Sequence, residues 1–108
     1  MNVFCVVGKI EKLPVLKETS TGLKTCEVEL KVIRPFSNSE GEYENDYITV
    51  EVWRGLAETI CHVAKVGAWI SVKGRIATKV VQKPEKTYRF YSFIAENVGF
   101  VQGFNKER

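Results

Sequence analysis

Catalysis needs a nucleophile, a base or a set of metal ligands, and this sequence supplies few. Its single histidine, His62, stands one helical turn after Glu58 and has no better metal ligand three or four positions away, so the two are expected to form a surface pair. Cys5, Cys26 and Cys61 are odd in number and spaced by 21 and 35 residues, matching neither a disulfide framework nor a CxxC metal site. Each lies in an apolar pattern and is expected to be reduced and buried, a small hydrophobe rather than a redox group. Neither GxGxxG nor GxxxxGK[ST] occurs, so nothing marks a nucleotide triphosphate site. No catalytic residue, cofactor or metal site is expected.

The residues that do carry binding chemistry are rings and cations. Phe36, Tyr47 and Trp53 offer flat π-faces, and Lys73, Arg75 and Lys79 offer charge. Together they suit single-stranded nucleic acid, whose unpaired bases expose stacking area and whose phosphates are negative. Arg34 and Arg54, beside the ring positions, are counted with these cations. Every ring also has a packing alternative: Phe36 at a loop base, Tyr47 against a neighbouring strand, Trp53 over a helix. The alternative for the bases is a solvated face. Stacking does not read base edges, so sequence preference should be weak, and nothing here distinguishes DNA from RNA at the 2′-hydroxyl.

Sixteen basic against thirteen acidic residues leave a net charge of only +3, which says little about partners. The distribution says more. Lys65 to Tyr91 holds seven bases and one acid, whereas Ser37 to Trp53 holds five acids and no base, so a polyanion should favour the C-terminal half.

At 108 residues the chain suits one domain, and 44% hydrophobic with 27% charged residues sets aside disordered and fibrous classes. The longest apolar run, Val3 to Val7, is far below the roughly 20 residues of a membrane span and short of the roughly 7 needed for a signal-peptide core. A cytoplasmic protein without membrane contact is expected.

Asn2 to Leu13 alternates between Phe4, Val6, Gly8, Ile10 and Val3, Cys5, Val7, and both sets are apolar. The second face must meet another sheet, a helix or a second copy, which makes Val3, Cys5 and Val7 the candidate oligomer contact. After a turn at Thr19 to Gly22, the residues Cys26, Val28, Leu30 and Val32 alternate with polar ones, predicting a half-buried strand in a hairpin with the first. Arg34-Pro35 should stop it, and Ser37 to Asn45 reads as a long exposed loop. In Tyr47 to Trp53, Ile48, Val50 and Val52 face one way and Tyr47 and Trp53 the other. Leu56, Ile60, Val63 and Ala64 predict a short amphipathic helix. Ala68 to Val81 alternates again, with Ile70, Val72, Gly74 and Ile76 inward and a basic outer face. Thr87 to Val101 is a last strand whose pattern breaks at Glu96, predicting a bulge. The order strand, strand, strand, helix, strand, strand fits a mainly β, five-stranded Greek-key barrel of the OB type, with the helix between strands three and four.

Asn2…Gly8-Lys9-Ile10, Arg34-Pro35-Phe36, Asp46-Tyr47-Ile48…Val52-Trp53-Arg54, Leu56-Ala57-Glu58, Lys65-x-Gly67, Gly74-Arg75-Ile76-x-Thr78 and Ala95-Glu96-Asn97-Val98-x-Phe100 form an ordered set over nearly the whole chain. The set resembles bacterial single-stranded DNA-binding proteins (SSBs), including phage and mobile-element types. The resemblance implies an OB-fold homotetramer that wraps single strands in replication, recombination and repair. It also implies stacking roles at Phe36, Tyr47 and Trp53, and subunit pairing through the first strand. Where such proteins often carry a further stacking ring, this chain has Val81, with Tyr88 or Phe90 as nearby substitutes. Acids at Glu40, Glu42, Glu44 and Asp46 disfavour phosphate contacts from their loop. Residues 1–104 are expected to form the domain and 105–108 a short end without the acidic tip through which SSBs recruit replication and repair proteins. Two rival readings are a tail-less primosomal OB protein, which dimerises and meets replication partners as well as single strands, and an OB module whose rings anchor a protein partner.

Overall fold

A computed structural model describes residues 1–101 of the chain. Its elements are β1 (Phe4–Ile10), β2 (Lys17–Glu18), β3 (Lys24–Ser37), β4 (Tyr43–Trp53), α1 (Arg54–Val63), β5 (Trp69–Gln82) and β6 (Thr87–Phe100). The sheet runs β1-β5-β6-β4-β3-β2, and β1 also pairs with β3, so five strands close into a barrel while β2 merely extends the β3 edge. This is the mainly β OB architecture, with its helix between the third and fourth barrel strands. The expected end at 105–108 lies outside the described residues. Among those described, no helix is long and apolar enough to cross a membrane.

Alternation builds the core. Ile10, Val28, Leu30, Val50, Val52 and Ile70 are fully buried, each from the inward set of its strand. Helix α1 covers one end of the barrel against β3 and β4. Its buried residues are Ala57 and Ile60, followed by the buried C-cap Ala64, while Val63, expected inward, is 43% exposed. Spacings of three and four residues admit either set, and the packing of α1 against β3 and β4 selects the first.

The β1–β3 hairpin expected from sequence is a brief contact, Lys9↔Lys31 and Ile10↔Leu30, and the main partner of β1 is β5, from Phe4↔Gly74 to Lys9↔Trp69. A closing barrel staggers its strands, so each strand divides its length between two neighbours. Nor does Arg34-Pro35 stop β3. The strand runs to Ser37, and its pairing with β4 slips between Ile33 and Ser37. An irregular ladder tolerates a residue that has no N–H. The loop therefore shrinks to residues 38–42, where Asn38 Oδ1 accepts the backbone N–H groups of Glu40 at 2.8 Å and Glu42 at 3.0 Å.

The bulge expected at Glu96 is present: Lys73 pairs with Asn97 but Gly74 with Ala95, leaving Glu96 unmatched. Gly74 belongs to the same feature. A Cβ there would overlap the Ile94 carbonyl oxygen and lie 2.9 Å from Phe4 Cε2. Gly74 is the last residue of β5 paired with β1, so Ile76, expected inward, lacks that neighbouring strand and is partly exposed, and past the Phe93 pairing with β4 the β5–β6 pair continues as a long arm.

Two cysteines share the helix boundary. Cys26 is buried, Cys61 packs against the core, and burial followed by a side-chain hydrogen bond with Cys61 pushes the Cys26 thiol up to about 12. It stays protonated and unreactive at neutral pH. Cys5 departs from the buried expectation: it is exposed on β1, beside Val3 and Val7.

Candidate nucleic-acid interface

β4 sets the geometry. Tyr47, Thr49, Glu51 and Trp53 point away from the core because Ile48, Val50 and Val52 point into it. Tyr47 is 59% exposed, and Trp53, half-buried, stands six residues further on, about 20 Å along an extended strand. Across β3, Lys31 lies opposite Tyr47 and Thr25 opposite Trp53. Phe36, 62% exposed, stands at the far end of β3, on the arm that β3 and β4 form beyond the barrel.

The strand turns sharply into α1 after Trp53. Arg54 has φ 62°, in the left-handed region that costs a non-glycine residue about 1 to 2 kcal/mol. An open cleft of about 490 Å³ forms there, lined by Leu23, Glu51, Trp53, Arg54, Arg75, Lys79 and Ile94 among others. Trp53, Arg54, Arg75 and Lys79 are thus brought together from β4, α1 and β5. Register explains it: β6 pairs in parallel with β4 at Glu51↔Ile94, and Ile94 pairs with Arg75 on β5.

The parallel pairing also sends the β3–β4 and β5–β6 arms out from the same end of the barrel. On the second arm Tyr88 lies directly across from Val81 and Phe90 across from Lys79. The Tyr88 and Phe90 rings are stacked, 6.4 Å between centroids and 20° between planes, and Lys86 Nζ stands 5.4 Å from the Tyr88 centroid. The ring absent at Val81 therefore has a neighbour in the facing strand.

Several expected cations are already engaged. Arg34 Nη2 reaches Asp46 Oδ1 at 2.9 Å and its Nη1 reaches Glu44 Oε1 at 3.1 Å. The hydrogen bond from Arg34 holds the Asp46 carboxyl below its ordinary range, and the guanidinium is raised in turn. Two of the acids near the β3–β4 loop thereby share one guanidinium, which offsets half of their charge. Lys79 Nζ donates to Glu51 Oε2 at 2.5 Å, whereas Arg75 Nε stands 3.7 Å from Glu96 Oε2 in a loose pair between exposed side chains that leaves the guanidinium open to an anion. Arg54 has no carboxylate partner among the described residues. Lys73 is not brought to the rings: it pairs with Cys5 and faces an open trough of about 450 Å³ along β1, lined by Val7, Ser71 and Val98 as well.

Three residues were not singled out by sequence reasoning. Lys31 alternates with Glu27 and Glu29, and only the β3–β4 register puts it beside Tyr47. Lys86 read as a turn residue. Glu51 read as one of five acids in a base-free stretch, yet its side chain is only 13% exposed and meets Trp53 and Lys79.

The model of the Single-strand binding protein family matches residues 1–101. The chain belongs to that family. It is 36% identical over 103 residues to a single-stranded DNA-binding protein of Halalkalibacterium halodurans, covering 94% of this chain and 61% of the relative. To single-stranded DNA-binding protein 3 of Listeria innocua it is 35% identical, covering 94% of this chain and 64% of that one. Single-stranded DNA-binding protein B of Bacillus subtilis is 32% identical, covering 99% of this chain and 96% of the relative. The chain thus spans less than two thirds of the first two relatives and nearly all of the third. The fold is shared with the single-stranded DNA binding protein of Thermus aquaticus, at TM-score 0.82 and 21% identity over 97% of this chain and 52% of that one. It is also shared with a Plasmodium falciparum SSB complexed with ssDNA, at TM-score 0.77 and 14% identity over 94% and 96% of the two chains.

Proposed function

We propose that this member of the single-strand binding protein family binds single-stranded DNA with little sequence preference, protecting it during replication, recombination and repair, in the cytoplasm and without catalysis. One observation carries the reading: Tyr47 and Trp53 stand on the outer face of one strand, and Trp53 shares its cleft with Arg54 and Arg75. Phe36 and Tyr88 extend the run of rings onto the two arms. Relatives of this family named as single-stranded DNA-binding proteins support DNA as the polymer.

Three of the four ring positions have a cation near them: Lys31 at Tyr47, Arg54 and Arg75 at Trp53, Lys86 at Tyr88. If these four cations neutralise one phosphate each, log K against log salt should fall with a slope of about −3, at about −0.7 per contact on a single strand. Titrating labelled oligo(dT) at several salt concentrations measures it. A flat dependence, or equal affinity for a duplex of the same length, would contradict the reading.

The exposed Val3, Cys5 and Val7 face of β1 supports assembly of copies through this strand, as a homotetramer or a dimer. An exposed apolar strand face in water favours burial. Light scattering distinguishes the two masses. Contacts with replication or repair proteins are part of the same proposal.

A further inference from the structure

An acid is a poor neighbour for phosphate, yet Glu51 sits on the outer face of β4 between the two principal rings. Its two oxygens are divided. Oε1 accepts the Trp53 indole Nε1–H at 3.3 Å, and Oε2 accepts from Lys79 Nζ at 2.5 Å. Burial works to raise this carboxyl, but hydrogen bonds from Lys79, Trp53 and Ser92 hold it below its ordinary range, so it is charged at neutral pH. Glu27 lies directly across β3–β4 from Glu51 and lines the same recess as Lys79, a second negative charge that favours keeping Lys79 in place.

We propose that Glu51 is a positioning residue of the interface: one carboxylate oxygen orients the Trp53 ring, while the other holds Lys79 in an ion pair and withholds it from phosphate. This inference rests on the reading of the chain as a single-strand binder. Drawing Lys79 away to a phosphate would strand a carboxylate that is 87% out of solvent, and a charge so placed is costly to leave unpaired. The Trp53 end of the site accordingly grips bases through a fixed ring with Arg54 and Arg75, and its charge contribution is capped. The consequence is easier release from single strands than the basic composition of β5 implies.

Glu51→Gln separates the two roles, because glutamine keeps an acceptor oxygen for the indole N–H but has no charge to hold the ammonium. The freed Lys79 gains one phosphate contact. Titration of full-length protein with oligo(dT) should then show a slope steeper by about 0.7 and binding roughly five-fold tighter near 0.1 M salt. The double variant Glu51→Gln with Lys79→Gln should return to the wild-type slope. Matching circular dichroism spectra and thermal midpoints show that all three proteins are folded. An unchanged slope in Glu51→Gln, or a gain that survives in the double variant, overturns the proposal. Failure of the wild type to bind oligo(dT) at all is a different result, and overturns the single-strand reading itself.

Discussion

Trp53→Ala is expected to weaken oligo(dT) binding about ten-fold or more. A base stacked on an aromatic contributes roughly 1 to 3 kcal/mol, and each 1.4 kcal/mol is about a factor of ten. Trp53 should lie at the upper end. Its indole is half-buried and tied to Glu51, so little rotamer freedom is left to lose when a base arrives. Tyr47, 59% exposed, is freer and should cost less on truncation. The loss should be specific to binding, because the residue occupies the N-cap position of α1 without making a side-chain capping bond. Fluorescence anisotropy of a labelled oligonucleotide measures the affinity, and a thermal melt checks the fold. A Trp53→Ala protein that binds as tightly as wild type would remove this residue from the interface.

How much of this interface was legible beforehand follows from what each residue depends on. The outward direction of Tyr47 and Trp53 depends only on period-two alternation in one strand, and the sequence displays it. The bulge at Glu96 was visible for the same reason, since an extra residue breaks the alternation. Lys31, Lys86 and the pairing of Glu51 with Lys79 depend on register between strands distant in sequence, which no local pattern encodes. The same limit explains the misread first hairpin: alternation says which face β1 presents, but closure of the barrel decides that β5 is its main partner. Pro35 misled differently. A residue lacking an N–H usually ends a ladder, and the slipped pairing that accommodates it is set by the partner strand. The ion pairs of Arg34 with Asp46 and Glu44 likewise come from the β3–β4 register and are not encoded in any local pattern.

The largest effect on stability should come from one methyl group. Gly74→Ala places a Cβ against the backbone of Ile94 and the ring of Phe4, where the barrel has its bulge. Backbone cannot step aside as a flexible side chain can, so the substitution must displace β5 from β6. Overpacking of a core typically costs about 1 to 3 kcal/mol, and a clash with main chain lies at or above that range. Total stabilities are only about 5 to 15 kcal/mol, so the urea midpoint should drop sharply or folding should fail. Gly55→Ala is the control. Nothing lies within 4 Å of a Cβ at Gly55, and the position is helical, so alanine there should be neutral or stabilising by up to about 1 kcal/mol. Equal midpoints for the two variants would contradict the packing described around the bulge.

Direct contact between bases and the β4 rings is the claim on which the rest depends, and Trp53 itself can report it. With Trp69→Phe as background, Trp53 is the sole source of tryptophan emission. Titration with oligo(dT) should quench that emission in step with binding, and added salt should restore it. Emission that stays constant while anisotropy shows the oligonucleotide bound would place the polymer elsewhere on the barrel and contradict the account.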